Sequence, residues 1–453
     1  MKIRTRKDVL KLAKKHRIRF IKLWFTDVLG FQKGISITVR ELDKALSDGM
    51  GFDGSSIEGF ARIEESDMVA MPDPSTFQLI PWRAAKDGLS ARMFCDILKP
   101  NGKPFEGDPR YVFKKNLKRA KDMGYDYYIG PELEYFYFNN PNNTIILDRG
   151  GYFDLTPLDV AQDLRRETVV MLEKMGVEVE YSHHEVATSQ HEIDLRYCDA
   201  LTMADNVMTY RMVVKEVARQ HGVYATFMPK PIYGINGSGM HVHQSLFSAK
   251  GGSASGGKGL RNAFFSKTDK THLSDTAKFF IAGVLKHVAE MTAVTNQWIN
   301  SYKRLIPGYE APVYICWAQM NRSALVRVPM YKPGKENSTR IEFRSPDPAA
   351  NPYLAFSVML AAGLEGIKKK YKLPKPAEDN IYRMTDEERK SSGIESLPED
   401  LYEAIKLTEK SKLVREALGE KVFEYFIRNK HMEWDEYKAQ VSKYEIDKYL
   451  AIL

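Results

Sequence analysis

Aromatic and β-branched residues crowd the stretch Ile129-Gly130-Pro131-Glu132-Leu133-Glu134-Tyr135-Phe136 and its flanks, Tyr127, Tyr128, Tyr137 and Phe138, and the pattern predicts a strand. Successive side chains on a strand point to opposite faces, so Glu132 and Glu134 share one face and Leu133 and Tyr135 the other. Two carboxylates about 7 Å apart on a buried strand repel each other and are costly to desolvate. Something cationic must sit against them.

Around that strand the pattern predicts a series of short elements. Residues 5–17 read as a helix, 18–24 as a strand of alternating apolar and basic residues, and 31–39 as the returning arm of a hairpin. Residues 40–47 are helical, and 52–60, punctuated by Gly54 and Gly59, predict a loop displaying Asp53. After a strand at 90–98, the Pro- and Gly-rich run 99–104 marks a boundary between a small domain, 1–104, and a larger one, 105–453.

The larger region opens with a helix at 109–123. Thr156 as N-cap and Pro157 in the first turn, with Val160, Leu164, Thr168, Met171 and Met175 on one face, predict a helix stopped by Gly176. Strands follow at 177–181, 192–196 and 340–344. Long helices are expected at 200–221, 279–298 and from Asn351-Pro352 to about 370. Residues 249–259 are a Gly/Ser/Lys-rich surface insertion, and 378–453 read as polar and helical.

Composition narrows the class. Apolar residues at 43% and charged residues at 28% fit an ordinary globular protein, and no run approaches the roughly 20 apolar residues that span a bilayer. The basic N-terminus lacks the apolar core of a signal peptide, and Cys95, Cys198 and Cys316 have no paired spacing, so free thiols in a reducing cytoplasm are expected. The net charge of +8 is spread over scattered lysines without a nucleic-acid-binding motif, so it reads as a solvated surface.

The strand design of Glu132 and Glu134 recurs. His241 and His243 fall on one face of a Gly-rich stretch, with Met240 and Val242 behind them. Arg340, Glu342 and Arg344 share a face backed by Ile341 and Phe343, and Glu185 and Glu192 bracket a short loop. Glu132, Glu134, Glu185, Glu192 and Glu342 with one imidazole, His241, would suit two hard divalent cations, Mg²⁺ or Mn²⁺. Two metals lined by arginines describe a phosphoryl-transfer site. No Walker-type loop is present, and no serine or cysteine triad finds support.

Seven blocks carry a family resemblance: Phe52–Ser56, Gly130–Glu134, His183–Glu185, Asn236–His241, Lys303–Pro312, Asn321–Ser323 and Arg340–Arg344. In this order, and over nearly the whole chain, they resemble type I glutamine synthetase of the shorter alpha-type branch. The resemblance implies an α+β fold, with a small N-terminal β-grasp-like domain and a large catalytic domain of curved antiparallel sheet flanked by helices. It implies a ligase joining glutamate and ammonia, with ATP as substrate, through γ-glutamyl phosphate, in a cytoplasmic homododecamer of two hexameric rings.

By that resemblance Glu134, Glu185 and Glu192 hold one metal, and Glu132, His241 and Glu342 the other. Arg304 grips the glutamate α-carboxylate beside Asn236 and Gly237, Arg344 steers the phosphoryl group, and Arg322 stabilises it. Glu180, Tyr197, His243, Ser245, Arg322 and Arg340 match nucleotide-contacting positions. Glu310 matches the flap glutamate, and Asp53, reaching a neighbouring subunit's site, matches the carboxylate that deprotonates ammonium. Arg62 is a candidate regulatory position, with an ion pair to Glu64 or Glu65 as the alternative. Tyr382 aligns with a tyrosine modified in another branch, but its following residues differ, so a packing or surface residue is the preferred reading. Two rivals remain: a γ-glutamyl-polyamine ligase on the same chemistry, against which Asp53 and the intact glutamate set argue, and a catalytically silent relative, which would usually have lost metal ligands. Feedback effectors and regulatory protein partners are not readable from the sequence.

Overall fold

A computed structural model describes residues 5–55, 57, 67–83, 88–248, 260–378 and 381–453. Arg62 and the 249–259 insertion lie outside the described residues, and Tyr382 is described only as backbone in a short 3-10 turn, Ile381–Arg383.

The first region is a twisted sheet on two helices. Strands β1 (Ile18–Thr26), β2 (Gln32–Thr38), β3 (Met50–Asp53), β4 (Asp67–Pro72), β5 (Gln78–Leu79) and β6 (Leu89–Leu98) run in the order β2-β1-β6-β4-β3, with β5 on β6. Among the described residues of this sheet only β1 and β6 run parallel; the connection between them passes through the helix Leu42–Asp48. Val9 and Ala13 of the helix Arg6–Lys15 join Leu42, Leu46, Ile21, Leu23 and Met93 in one apolar core. Asp53 does not stand in a loop as expected. It ends β3, opposite Asp67 of β4, because the glycine-rich edge takes its order from pairing with Met68–Ala70 and not from its own propensity.

The second region is built on ten strands among the described residues. These are β7 (Asp126–Phe138), β8 (Val179–His184), β9 (Gln190–Leu195), β10 (Cys198–Asp199), β11 (Tyr224–Thr226), β12 (Met240–Ser248), β13 (Arg261–Asn262), β14 (Trp317–Ala318), β15 (Val326–Arg327) and β16 (Ile341–Phe343). The order is β14-β15-β16-β12-β7-β9-β8, antiparallel except for β14 and β15, with β10 and β11 on β7 and β13 on β12. Leu133, Tyr135, Met240, Val242, Ile341 and Phe343 enter the core, so the acidic face of the sheet is turned the other way.

Helices back that core. Asp275–Thr295 lies against Pro352–Lys369 so closely that a Cβ on Gly283 would meet the Ala362 carbonyl oxygen at 2.2 Å, and one on Gly366 the Phe279 oxygen at 2.1 Å. Asn351 caps the second helix as expected, accepting from Tyr353 and Leu354 N–H. Two expectations fail. The helix predicted from Thr156 begins at Gln162 and ends at Lys174, without a side-chain N-cap. Val160 is exposed, and residues 155–159 form turns closed on the Leu155 carbonyl, anchored by the buried Asp159–Arg165 pair. The C-terminal helices are not merely polar: Leu401, Ile405, Val414, Leu418, Phe423 and Phe426 complete the large core. A buried Arg110 joins the two regions through Asp73, Asp96 and Asp205.

Candidate active site

Strand register brings the predicted acids together. His241 lies opposite Glu132, and Glu342 opposite His243, while Glu192 lies opposite Glu134 and Asp194 opposite Glu132. Glu132, Glu134, Glu185, Glu192, His241 and Glu342 line a cavity of about 510 Å³ with Arg304, Arg322, Arg344, Asn236, Gly237 and Glu310. A second cavity of about 300 Å³ shares Glu132 and Tyr181 with it and is lined by Glu180, Tyr197, His243, Ser245 and Arg340. Of the residues expected to contact nucleotide, five therefore line the smaller cavity, and Arg322 lines the larger one.

One end of the cluster is densely paired. Glu342, 0% exposed, receives Arg327 Nε at 2.5 Å and an ion pair from Arg344. Burial would raise its pKa, but Arg344 and His243 outweigh it and hold the carboxyl at about 2. Glu132 meets His243 Nε2 at 2.6 Å and His241 Nδ1 at 3.3 Å; against its burial, these imidazoles keep it well below the usual range. Arg340 Nε donates to His243 Nδ1 at 3.2 Å, so the His243 proton sits on Nε2 and points at Glu132.

At the other end burial and mutual repulsion prevail. Glu185 is raised to about 9 by burial and by Glu134, and Glu134 to about 7 by burial, despite Arg304. Glu192 is pushed well above its usual range by burial and Asp194, and burial brings Asp194 to about 6. Ligand atoms of His183, Glu185 and Glu192 lie within 4.8 Å of one another, as do those of Glu132, His241 and Glu342. Oxygen-rich donors with one imidazole each, and acids forced toward protonation by their own crowding, fit hard divalent cations.

Glu134 needs fixing in place, and the structure supplies it. Its Oε2 accepts from Gln190 Nε2 at 2.7 Å and from Gly239 N–H at 3.0 Å. Gly239 lies against the guanidinium of Arg304: a Cβ there would come within 2.6 Å of Arg304 Nη2. Arg304 is itself braced by the carbonyls of Ser345, Pro346 and Arg344.

Sequence reasoning missed His183, Gln190, Asp194 and Arg327. Gln190, Glu192 and Asp194 share a face at a spacing of two, a signal hidden by reading 186–191 as a loop when β9 begins at Gln190. Arg327 enters by pairing across from Glu342, which no local pattern announces.

A third cluster, Asp148, His184 and His191, lies fully buried behind the hairpin of β8 and β9. Arg165 Nη1 donates to His191 Nδ1 at 2.8 Å, so the His191 proton occupies Nε2 and faces Asp148 Oδ2 at 3.6 Å. Asp148 Oδ1 meets His184 Nε2 at 2.8 Å and accepts the Ser189 N–H at 3.0 Å. With its His191 lone pair already used, this group braces the hairpin that carries Glu185 and Glu192.

Asp53 stands apart. The walls of the larger cavity come from residues 132–344, and Asp53, exposed on β3, has its pKa lowered by hydrogen bonds from the Ser55 hydroxyl and from the Ser55 N–H at 2.8 Å.

Two family models match the chain: Glutamine synthetase, catalytic domain, over residues 106–449, and Glutamine synthetase, beta-Grasp domain, over residues 17–100. The glutamine synthetase of Mycolicibacterium smegmatis is 53% identical over 99% of this chain and 100% of its own length. That of Methanosarcina mazei is 52% identical over 100% of this chain and 99% of its own length. Among solved structures, the Plasmodium falciparum glutamine synthetase superposes with a TM-score of 0.87 at 26% identity over 99% of both chains. The GmaS/ADP complex does so with a TM-score of 0.87 at 31% identity, over 98% of this chain and 99% of the other.

Proposed function

The chain belongs to the glutamine synthetase family, and from that membership we propose how its side chains divide the work. It is an ATP-dependent ligase that makes glutamine from glutamate and ammonia, as its half-identical, full-length relatives do. The observation that carries the assignment of roles is the junction of the two cavities at Glu132, where an acid cluster ringed by arginines opens onto a pocket lined by Tyr197, His243 and Arg340.

Glu134, Glu185 and Glu192, with His183 beside them, would hold one divalent ion, and Glu132, His241 and Glu342 a second, Mg²⁺ or Mn²⁺. Such ions supply charge neutralisation on the phosphate oxygens. ATP enters the smaller cavity, its base against Tyr197 and its phosphates toward Arg340 and Arg344. Arg304, with Asn236 and Gly237, orients glutamate by its α-carboxylate.

A γ-carboxylate oxygen attacks the terminal phosphorus, ADP leaves, and the carboxylate now carries a phosphate leaving group. Arg322 faces the charge that develops there. Ammonia then attacks the acyl carbon, the bond to the phosphate oxygen breaks, and phosphate departs. The proton lost from ammonium goes to Asp53 of a neighbouring subunit, and the second proton, shed by the nitrogen of the adduct, leaves with the phosphate.

That arrangement accounts for an exposed acid absent from its own chain's cavity wall, and for Phe153 and Leu155, left 57% and 69% exposed on the segment that leads into the site. We therefore place active sites between subunits of a homododecamer of two hexameric rings, with the domain division near residue 104. Three free thiols support a reducing, cytoplasmic setting, and among the described residues no helix is long and apolar enough to cross a membrane.

The test is phosphate release from ATP with Mg²⁺ and glutamate, with and without ammonium. Release that requires ammonium and yields glutamine supports the reading. Turnover only with an added amine would replace ammonia as acceptor, and a folded, metal-loaded protein with no turnover would overturn the assignment.

A further inference from the structure

The segment carrying Glu310 is held by a lysine that the reaction does not use. The Lys230 ammonium lies 3.8 Å from the centroid of the Tyr309 ring. Its main chain is pinned on both sides by Asn300, which accepts from Lys230 N–H at 2.7 Å and donates to its carbonyl at 3.0 Å. The side chain is almost fully buried and donates to the Ile235 carbonyl, and no carboxylate among the described residues pairs with it. The face of Tyr309 is thus a main source of negative potential for a desolvated cation.

A second tie lies one residue further on. Asn236, from the same loop as Lys230, donates to Glu310 Oε2 at 2.8 Å. Glu310 itself sits in the left-handed region, φ 58°, a conformation that needs outside support in a residue with a side chain. Tyr309, Glu310 and Asn236 all line the larger cavity.

We propose that Lys230 is a positioning residue that latches residues 307–310 over the cavity through the Tyr309 ring, and so decides whether the activated acyl group meets ammonia or water. The proposal rests on the acyl-phosphate route described above. When the latch opens, a water oxygen attacks the acyl carbon, the bond to the phosphate oxygen breaks, and glutamate, phosphate and a proton are released. The net result is ATP hydrolysis without glutamine. A cation on a desolvated ring shifts an open–closed ratio by about 2- to 30-fold, enough to be read in the products.

The experiment measures phosphate released per glutamine formed in the intact enzyme, for Lys230→Met, Tyr309→Leu, the double variant and Tyr309→Phe. The wild type should release about one phosphate per glutamine. Lys230→Met and Tyr309→Leu should each release several, with the double variant no leakier than either, while Tyr309→Phe, which keeps the ring face, should stay coupled. Should Lys230→Met fail to fold, Tyr309→Leu against Tyr309→Phe reads the same contact. A fully coupled Lys230→Met or Tyr309→Leu overturns the latch, as does a Tyr309→Phe as leaky as Tyr309→Leu. A wild type that forms no glutamine from ammonium refutes the functional reading instead, so the two failures are distinguishable.

Discussion

The two ends of the acid cluster are both largely buried and differently answered. Around Glu132 and Glu342 the chain supplies its own partners: the guanidiniums of Arg344 and Arg327 and the imidazoles of His241 and His243 hold both carboxyls ionised. Around Glu134, Glu185 and Glu192, burial with repulsion from neighbouring acids outweighs Arg304 and the hydrogen bonds from Gln190 and Gly239, and drives the carboxyls upward. Burial alone does not set the charge of a site; the partners do. One end is held ionised by the protein's own partners; at the other, a cation bound as proposed would have to displace protons.

Glu132 belongs to both cavities, so Glu132→Ala should have the largest effect. Loss of kcat by about 10³-fold or more is expected, measured as ammonium-dependent phosphate release. Activity within tenfold of wild type would break the account of the junction.

Asp53→Ala tests the part of the site that the chain does not bring to its own cavity. Ammonia-dependent synthesis should fall about 100-fold, a general-base loss, with the melting temperature unmoved because the side chain is exposed. Full activity would remove Asp53 from the reaction.

The contrast between the two ends sharpens in stability. Glu342→Gln strands Arg344 and Arg327 and should destabilise the fold by about 3 kcal/mol. Glu185→Gln removes a carboxyl that is ionised in the unfolded chain at pH 8 and must take up a proton on folding, and should stabilise the metal-free protein at pH 8 by about 1 kcal/mol or more, read by chemical denaturation. Equal losses from both would erase the distinction.

The acidic strand at the centre was legible because alternation is local: the face shared by Glu132 and Glu134, and the apolar backing of Met240, Val242, Ile341 and Phe343, follow from spacing alone. The opposition of His241 to Glu132 and of Arg327 to Glu342 was not, since strand pairing between distant segments leaves no local mark. Asp53 was singled out correctly as an exposed carboxylate, yet read as loop, because edge pairing imposed a strand on a glycine-rich run. Thr156-Pro157 carried a convincing start signal, but the helix waits until Gln162, since the turns at 155–159 and the Asp159–Arg165 pair use those residues first. The Lys230–Tyr309 contact joins segments nearly eighty residues apart, and nothing at either end foretold it.

The most direct test of the two-ended site is calorimetric titration of the metal-free enzyme with Mg²⁺ or Mn²⁺ at pH 6.5 and pH 8, in buffers of different ionisation heat. Folded-state carboxyls raised toward about 7 and about 9 bind protons that unfolded ones, near 4.5, have lost, so those groups make the apo fold less stable as pH rises through that window. A metal must displace the same protons. Net proton release, tighter binding at pH 8 than at pH 6.5, and loss of most of both in Glu185→Gln are expected. Binding without proton release and with no pH dependence would contradict it.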